Sequence, residues 1–230
     1  MTHNPIIVAL DVESAAEARA LVARLRPQVN FFKVGLELYA AAGMPLVDDL
    51  IAEGVDVFLD LKLYDIPETV KRAVARIARR PIRFLTVHAV RSVMQAAVQG
   101  REGRDIQLLA VTVLTSFGPD DVRDLGHTAT ASELVADRTR QAIAAGVDGV
   151  VCSPLEAAAV RRIAASRLKI VTPGVRSAGA ARSDQKRVAT PAEAVRDGAD
   201  YIVVGRQITR AADPAAEAAR ILDEIAAVVA

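Results

Sequence analysis

Short β-branched runs alternate with longer, Ala-rich amphipathic stretches along the whole chain, and this alternation limits the folds open to it. The runs are Ile6–Leu10, Phe31–Val34, Val55–Leu61, Phe84–Val87, Leu108–Leu114, Gly149–Val151, Lys169–Thr172 and Tyr201–Val204. Helical segments are expected between them, at Ser14–Leu25, Pro67–Arg79, Ser132–Ala145, Pro154–Ala164, Pro191–Asp197 and Pro214–Val228. Each begins with Ser or Pro, as helix starts do, and Ser14 with Glu17 has the spacing of a capping box. Gly54, Gly146 and Gly198 fall where helices should stop. Eight strand–helix units in 230 residues predict a closed (β/α)8 TIM barrel, one domain over residues 1–230, rather than an open sheet.

The rest of the composition narrows the class. Basic and acidic residues number 29 and 28, for a net charge of +1, and aromatic residues make up 3%. Neither a basic face nor a base-stacking platform is indicated, so no nucleic-acid partner is expected. No apolar stretch reaches the ~18 residues of a membrane span. The N-terminal apolar run stops at Asp11 and lacks a basic flank, unlike a signal peptide. A single cysteine, Cys152, excludes an internal disulfide. A reducing, cytoplasmic location is the expectation.

Barrels of this kind place their chemistry at the C-terminal ends of the strands. Asp60-Leu-Lys62-Leu-Tyr-Asp65-Ile-Pro-Glu-Thr69 stands at the end of the third run. Strand alternation puts Asp60 and Lys62 on one face, with Asp65 in the following loop. A solvated ion-pair cluster is the plain alternative, but a lysine and an aspartate sharing the inward parity of one strand point to a site. Lys33 sits within an apolar run and needs a partner, which Asp60 on the next strand can supply. Asp11 could cap a helix, although Ser14 is better placed for that, or accept hydrogen bonds from sugar hydroxyls. Gly205 and Arg206 close the last strand, where barrels often hold phosphate. There a glycine lets backbone N–H approach an anion, and arginine can grip it with two bonds.

A long polar connection runs from Arg176 through Arg182, Gln185, Lys186 and Arg187 to Thr190. It suits either a lid over an anionic ligand or a solvated loop. His88 and Cys152 have no neighbours that make a triad or a zinc site. They read as a packed strand-end residue and a small core residue.

Together these segments resemble the bacterial type of the orotidine 5′-monophosphate decarboxylase family. Asp60-x-Lys62-x-x-Asp65-Ile-Pro-x-Thr69 is similar to its signature. Leu10-Asp11, Phe32-Lys33-Val-Gly, Val113-Leu-Thr115-Ser116, Thr172-Pro-Gly-Val-Arg176, Asp184-Gln185-Lys-Arg and Val204-Gly205-Arg206 follow in the family's order, from about residue 6 to 225. The chain departs at Leu63, Tyr64 and Glu68, beside the charged residues.

The resemblance implies decarboxylation of orotidine 5′-monophosphate to uridine 5′-monophosphate, without metal or organic cofactor. Lys62 would protonate C6 within a charge network of Lys33, Asp60, Lys62 and Asp65. Asp11, Lys33 and Thr69 would address the ribose, and Thr115 and Ser116 the pyrimidine. Arg176, Gln185, Gly205 and Arg206 would hold ligand and phosphate. A homodimer is implied, with Asp65 and Thr69 reaching the neighbouring site. Two alternatives stand: a related magnesium-dependent barrel that decarboxylates a sugar-acid phosphate, and a non-catalytic nucleotide-binding barrel.

Overall fold

The computed structural model describes residues 4–178 and 189–229. Eight parallel strands close into a barrel: β1 (Ile6–Ala9), β2 (Phe31–Gly35), β3 (Asp56–Leu63), β4 (Phe84–His88), β5 (Gln107–Val111), β6 (Gly149–Val151), β7 (Lys169–Thr172) and β8 (Tyr201–Val204). Each pairs with the next in sequence, and β8 returns to β1 through Ile6↔Ile202 and Ile7↔Val203.

Helices α1 (Ala15–Leu25), α2 (Leu36–Ala52), α3 (Pro67–Ile77), α4 (Arg91–Arg101), α5 (Pro119–Asp124), α6 (Ala131–Ala145), α7 (Ala157–Ala164), α8 (Pro191–Arg196), α9 (Arg206–Thr209) and α10 (Pro214–Val229) occupy the connections. A 3-10 turn, Pro154–Glu156, precedes α7. Among the described residues no helix is long and apolar enough to cross a membrane.

Strand parity sorts the side chains into two cores. Ile6, Val8, Phe32, Val34, Val57 and Leu59 face outward and pack with the helices. Ile7, Ala9, Phe31, Phe58, Phe84, Leu109, Val171, Tyr201 and Val203 fill the barrel. Phe84 meets Tyr201 edge-on at 5.3 Å and Phe58 at 5.8 Å. Arg83 closes the floor. Its guanidinium lies 4.7 Å from the Phe31 ring centroid and donates to Tyr201 Oη at 2.8 Å. Full burial of each large apolar side chain is worth about 1.5–3 kcal/mol, so this aromatic layer is a firm base for what stands above it.

The eight expected strands and six expected helices are present with local corrections, whereas α2, α4, α5 and α9 lie where no helix is expected from the sequence. β5 ends at Val111 rather than Leu114, and β3 runs two residues beyond the expected Leu61. Ser14 Oγ accepts from the Glu17 amide at 3.2 Å, but the Glu17 carboxylate takes the Glu13 amide at 3.4 Å instead of closing a capping box on Ser14. Thr130 with Glu133 and Thr190 with Glu193 form complete boxes. Gly146 ends α6 with φ of 79°, in the left-handed region that favours glycine.

Candidate active site

The inward parity that carries aromatic residues at the floor carries polar ones two residues further on. Phe31 is followed by Lys33, Phe58 by Asp60 and Phe84 by Thr86. Lys33, Asp60 and Lys62 meet there. Lys62 Nζ lies 2.9 Å from Asp60 Oδ2, and Lys33 Nζ lies 3.7 Å from the same oxygen and 3.1 Å from Asp11 Oδ1. The expected Lys33–Asp60 pair is present, and Asp11 is the nearer carboxylate.

Lys62 reaches this position through a break in the strand. Its φ is 48°, and the pairing of β3 with β4 shifts between Leu59 and Leu63. A non-glycine residue held there costs on the order of 1–3 kcal/mol. Simple alternation therefore gave the right face by an incomplete route. The displaced Lys62 amide donates to Thr86 Oγ1 at 2.9 Å, and Thr86 Oγ1 donates to Asp60 Oδ1 at 2.9 Å.

Asp60 is 8% exposed. Burial pushes its carboxyl up, but the charges of Lys33 and Lys62, with hydrogen bonds from Lys62 and Thr86, outweigh burial and hold its pKa below the ordinary value. Asp60 is thus a fixed anion between two cations at neutral pH.

A cavity of about 300 Å³ opens above this cluster. Asp11, Lys33, Asp60, Lys62, Thr115, Ser116, Arg176, Gly205 and Arg206 all line it. Phe58, Val111, Val113 and Val151 give it an apolar floor and side. A flat, partly polar ring could rest on such a surface, with anionic substituents directed toward Arg176 and Arg206.

Two of the expected residues, Asp65 and Thr69, are not part of this pocket. Asp65 and Thr69 are exposed, and the Asp65 carboxylate accepts from the Ile66 amide at 2.6 Å. Tyr64 and Ile66 beside them are each 68% exposed. Gln185 lies outside the described residues, as do Arg182, Lys186 and Arg187. Arg176, before that segment, donates its amide to Ala189 O at 3.0 Å, after it.

Two residues of the site were not singled out in the sequence. Thr86 reads there as one more β-branched strand residue. Gly35 appears there only as the last residue of Phe32-Lys33-Val-Gly. A Cβ at Gly35 would stand 2.8 Å from Lys33 Nζ, so the glycine leaves room for the ammonium. His88, the next inward position after Thr86, does not line the pocket and packs against Tyr64 with ring centroids 5.4 Å apart.

The sequence of residues 4–221 matches the model of the Orotidine 5′-phosphate decarboxylase / HUMPS family. An orotidine 5′-phosphate decarboxylase of Nitrobacter winogradskyi is 51% identical over 98% of this chain and 94% of that protein. One from Afipia carboxidovorans is 51% identical over 98% of this chain and 99% of that protein. The crystal structure of orotidine 5′-phosphate decarboxylase from Lactobacillus acidophilus superposes with a TM-score of 0.86 at 36% identity, covering 97% of this chain and 99% of that one. Near-complete coverage, half-identical sequences and a shared closed barrel leave one conclusion: the chain belongs to the Orotidine 5′-phosphate decarboxylase / HUMPS family.

Proposed function

We propose that the chain converts orotidine 5′-monophosphate to uridine 5′-monophosphate and carbon dioxide, with Lys62 delivering a proton to C6. The observation that carries this reading is the Lys33–Asp60–Lys62 cluster, a buried anion between two cations on the wall of a pocket edged by arginines. Family membership and the named relatives support it.

In the proposed step the bond between C6 and the carboxylate carbon breaks and its electron pair stays on C6. A proton from the Lys62 ammonium joins that carbon, and solvent later restores it. The carbanion has no adjacent electron sink, so a cation already in place is the main requirement. Asp60 would lie beside the substrate carboxylate. Two unit charges ~4 Å apart repel by about 4 kcal/mol at an effective dielectric near 20. Enzymes lower barriers by roughly 8–23 kcal/mol, so repulsion alone cannot suffice. Preorganisation of Lys62, sustained by binding energy from the distant phosphate, carries more.

Roles for the remaining residues follow their positions. Asp11 and Lys33 would bind the ribose, Thr115 and Ser116 the base, and Arg176, Gly205 and Arg206 the phosphate side, with Gln185 added from outside the described residues. Asp65 and Thr69 would serve the site of a second copy. Their exposure beside apolar Tyr64 and Ile66, away from the chain's own pocket, supports such a homodimer. The buried Cys152 thiol suits a reducing cytoplasm.

The direct experiment follows orotidine 5′-monophosphate by ultraviolet absorbance, with and without chelator. Equal turnover in both is expected. Turnover lost with chelator would favour a metal-dependent reaction, and binding without turnover would favour a nucleotide-binding barrel.

A further inference from the structure

Thr86 has no exposed surface, and its hydroxyl is used twice. The proton goes to Asp60 Oδ1, and a lone pair receives the Lys62 amide, both at 2.9 Å. Thr86 stands opposite the irregular part of β3. Pairing passes from Leu59↔Leu85 to Leu63↔Val87, so four steps along β3 are spanned by two along β4. A backbone N–H displaced from its ladder must find another acceptor, and here a side chain provides it.

Packing alone gives no reason for a hydroxyl at this position. Valine has nearly the same shape and is at least as well suited to a strand. A buried hydroxyl is tolerated because it is bonded, and here its bonds join two groups of the candidate site.

We propose that Thr86 is a positioning residue, whose single hydroxyl orients the Asp60 carboxylate and holds the Lys62 backbone in its left-handed conformation before substrate binds. The Asp60 carboxylate is then fixed from both ends. Thr86 holds Oδ1, while Lys62 at 2.9 Å and Lys33 at 3.7 Å take Oδ2. Any rotation of the Asp60 side chain would break contacts at both oxygens. This role rests on the decarboxylase reading of the same site.

The test uses the full chain with Thr86→Val and Thr86→Ser. Thr86→Val should lower kcat by about 10- to 100-fold, the scale of a misplaced catalytic group, with little change in KM. Thr86→Ser keeps the hydroxyl and should recover most of the loss. Carbon NMR of the Asp60 carboxyl should show it titrating at higher pH in Thr86→Val than in wild type. Wild-type kcat in Thr86→Val, or equal losses in the two variants, would overturn the proposal.

Should Thr86→Val fail to fold, hydrogen exchange of the wild-type Lys62 amide decides. Slow exchange is expected, and fast exchange would overturn the clamp. Should the wild-type chain show no decarboxylation, the proposed reaction fails, while the Asp60 titration and the amide exchange still judge the clamp itself.

Discussion

The ammonium of Lys62 lies 2.9 Å from the Asp60 carboxylate although the two residues are only two apart and Lys62 has left the strand conformation, with φ of 48°. The pair is therefore built by a local distortion that places the Lys62 ammonium at the pocket. Lys62→Ala removes the ammonium and leaves Asp60 beside Lys33, so the buried anion keeps a partner. The variant should fold and bind nucleotide but lose about 10²- to 10⁴-fold or more in kcat, the usual range for a general acid. Substantial turnover in Lys62→Ala would remove Lys62 from the chemistry.

Much of this arrangement could be read from residue order. The eight β-branched runs set the strands, and two-residue parity stacked Lys33 above Phe31 and Asp60 above Phe58. What escaped depends on relations that order does not carry. Thr86 matters because β3 shifts its register against β4, and one sequence read alone holds no signal of that shift. α2 and α4 were missed by start signals because they begin after Gly35 and Val90, without a capping side chain. Gly43 and Pro45 also interrupt the helical pattern of α2. Asp65 shows the opposite case. The motif marks it clearly, yet within one chain it stands apart from the pocket.

Gly35 offers a test of the space around Lys33. Its backbone, at φ of −93°, is open to any residue, so alanine there brings no backbone strain. The added Cβ would lie 2.8 Å from Lys33 Nζ and force the flexible end of that side chain aside. Gly35→Ala should cost about 1 kcal/mol or less in stability, since only a modest helix-start preference is lost. It should lower kcat/KM by about tenfold through the displaced ammonium. Urea unfolding and kinetics on the same preparation separate the two. Unchanged kinetics would show that the ammonium position is not critical.

His88 supplies a pH dependence. Burial, with the nearby charges of Arg138 and Lys62, lowers its pKa, while Asp60 opposes the shift. In the unfolded chain the imidazole takes up a proton near its ordinary value of about 6.5, whereas the folded chain resists until lower pH. The stability tied to neutral His88 is thus complete above that value and declines as pH falls toward the folded pKa. His88→Gln should flatten the dependence of the urea midpoint on pH just below about 6.5. An unchanged slope would assign it to another group.

A shared site predicts complementation between inactive subunits. Lys62→Ala and Asp65→Ala, mixed under conditions of verified exchange, should regain part of the wild-type activity. In the mixed dimer one site receives both defects and the other neither. Persistent inactivity despite exchange would mean that Asp65 serves its own chain or none.

Arg206 tests whether the arginine edge of the pocket holds the phosphate. It begins α9 directly after Gly205 and lines the same pocket as Arg176. A phosphate gripped there would be remote from the atom that loses carbon dioxide. The arginine could then affect the rate only by binding energy spent in ordering the site. A charge-assisted hydrogen bond is worth about 1.5–3 kcal/mol, and a two-bond grip more. Since ~1.4 kcal/mol is a factor of ten, Arg206→Ala should reduce kcat/KM for the nucleotide by at least about 10- to 100-fold. The same change should leave the slow reaction of the phosphate-free nucleoside nearly as it was, because no phosphate contact exists there to lose. Measuring both substrates in both proteins gives the comparison. Equal losses on nucleotide and nucleoside would place Arg206 in support of the barrel or the chemistry rather than on the phosphate.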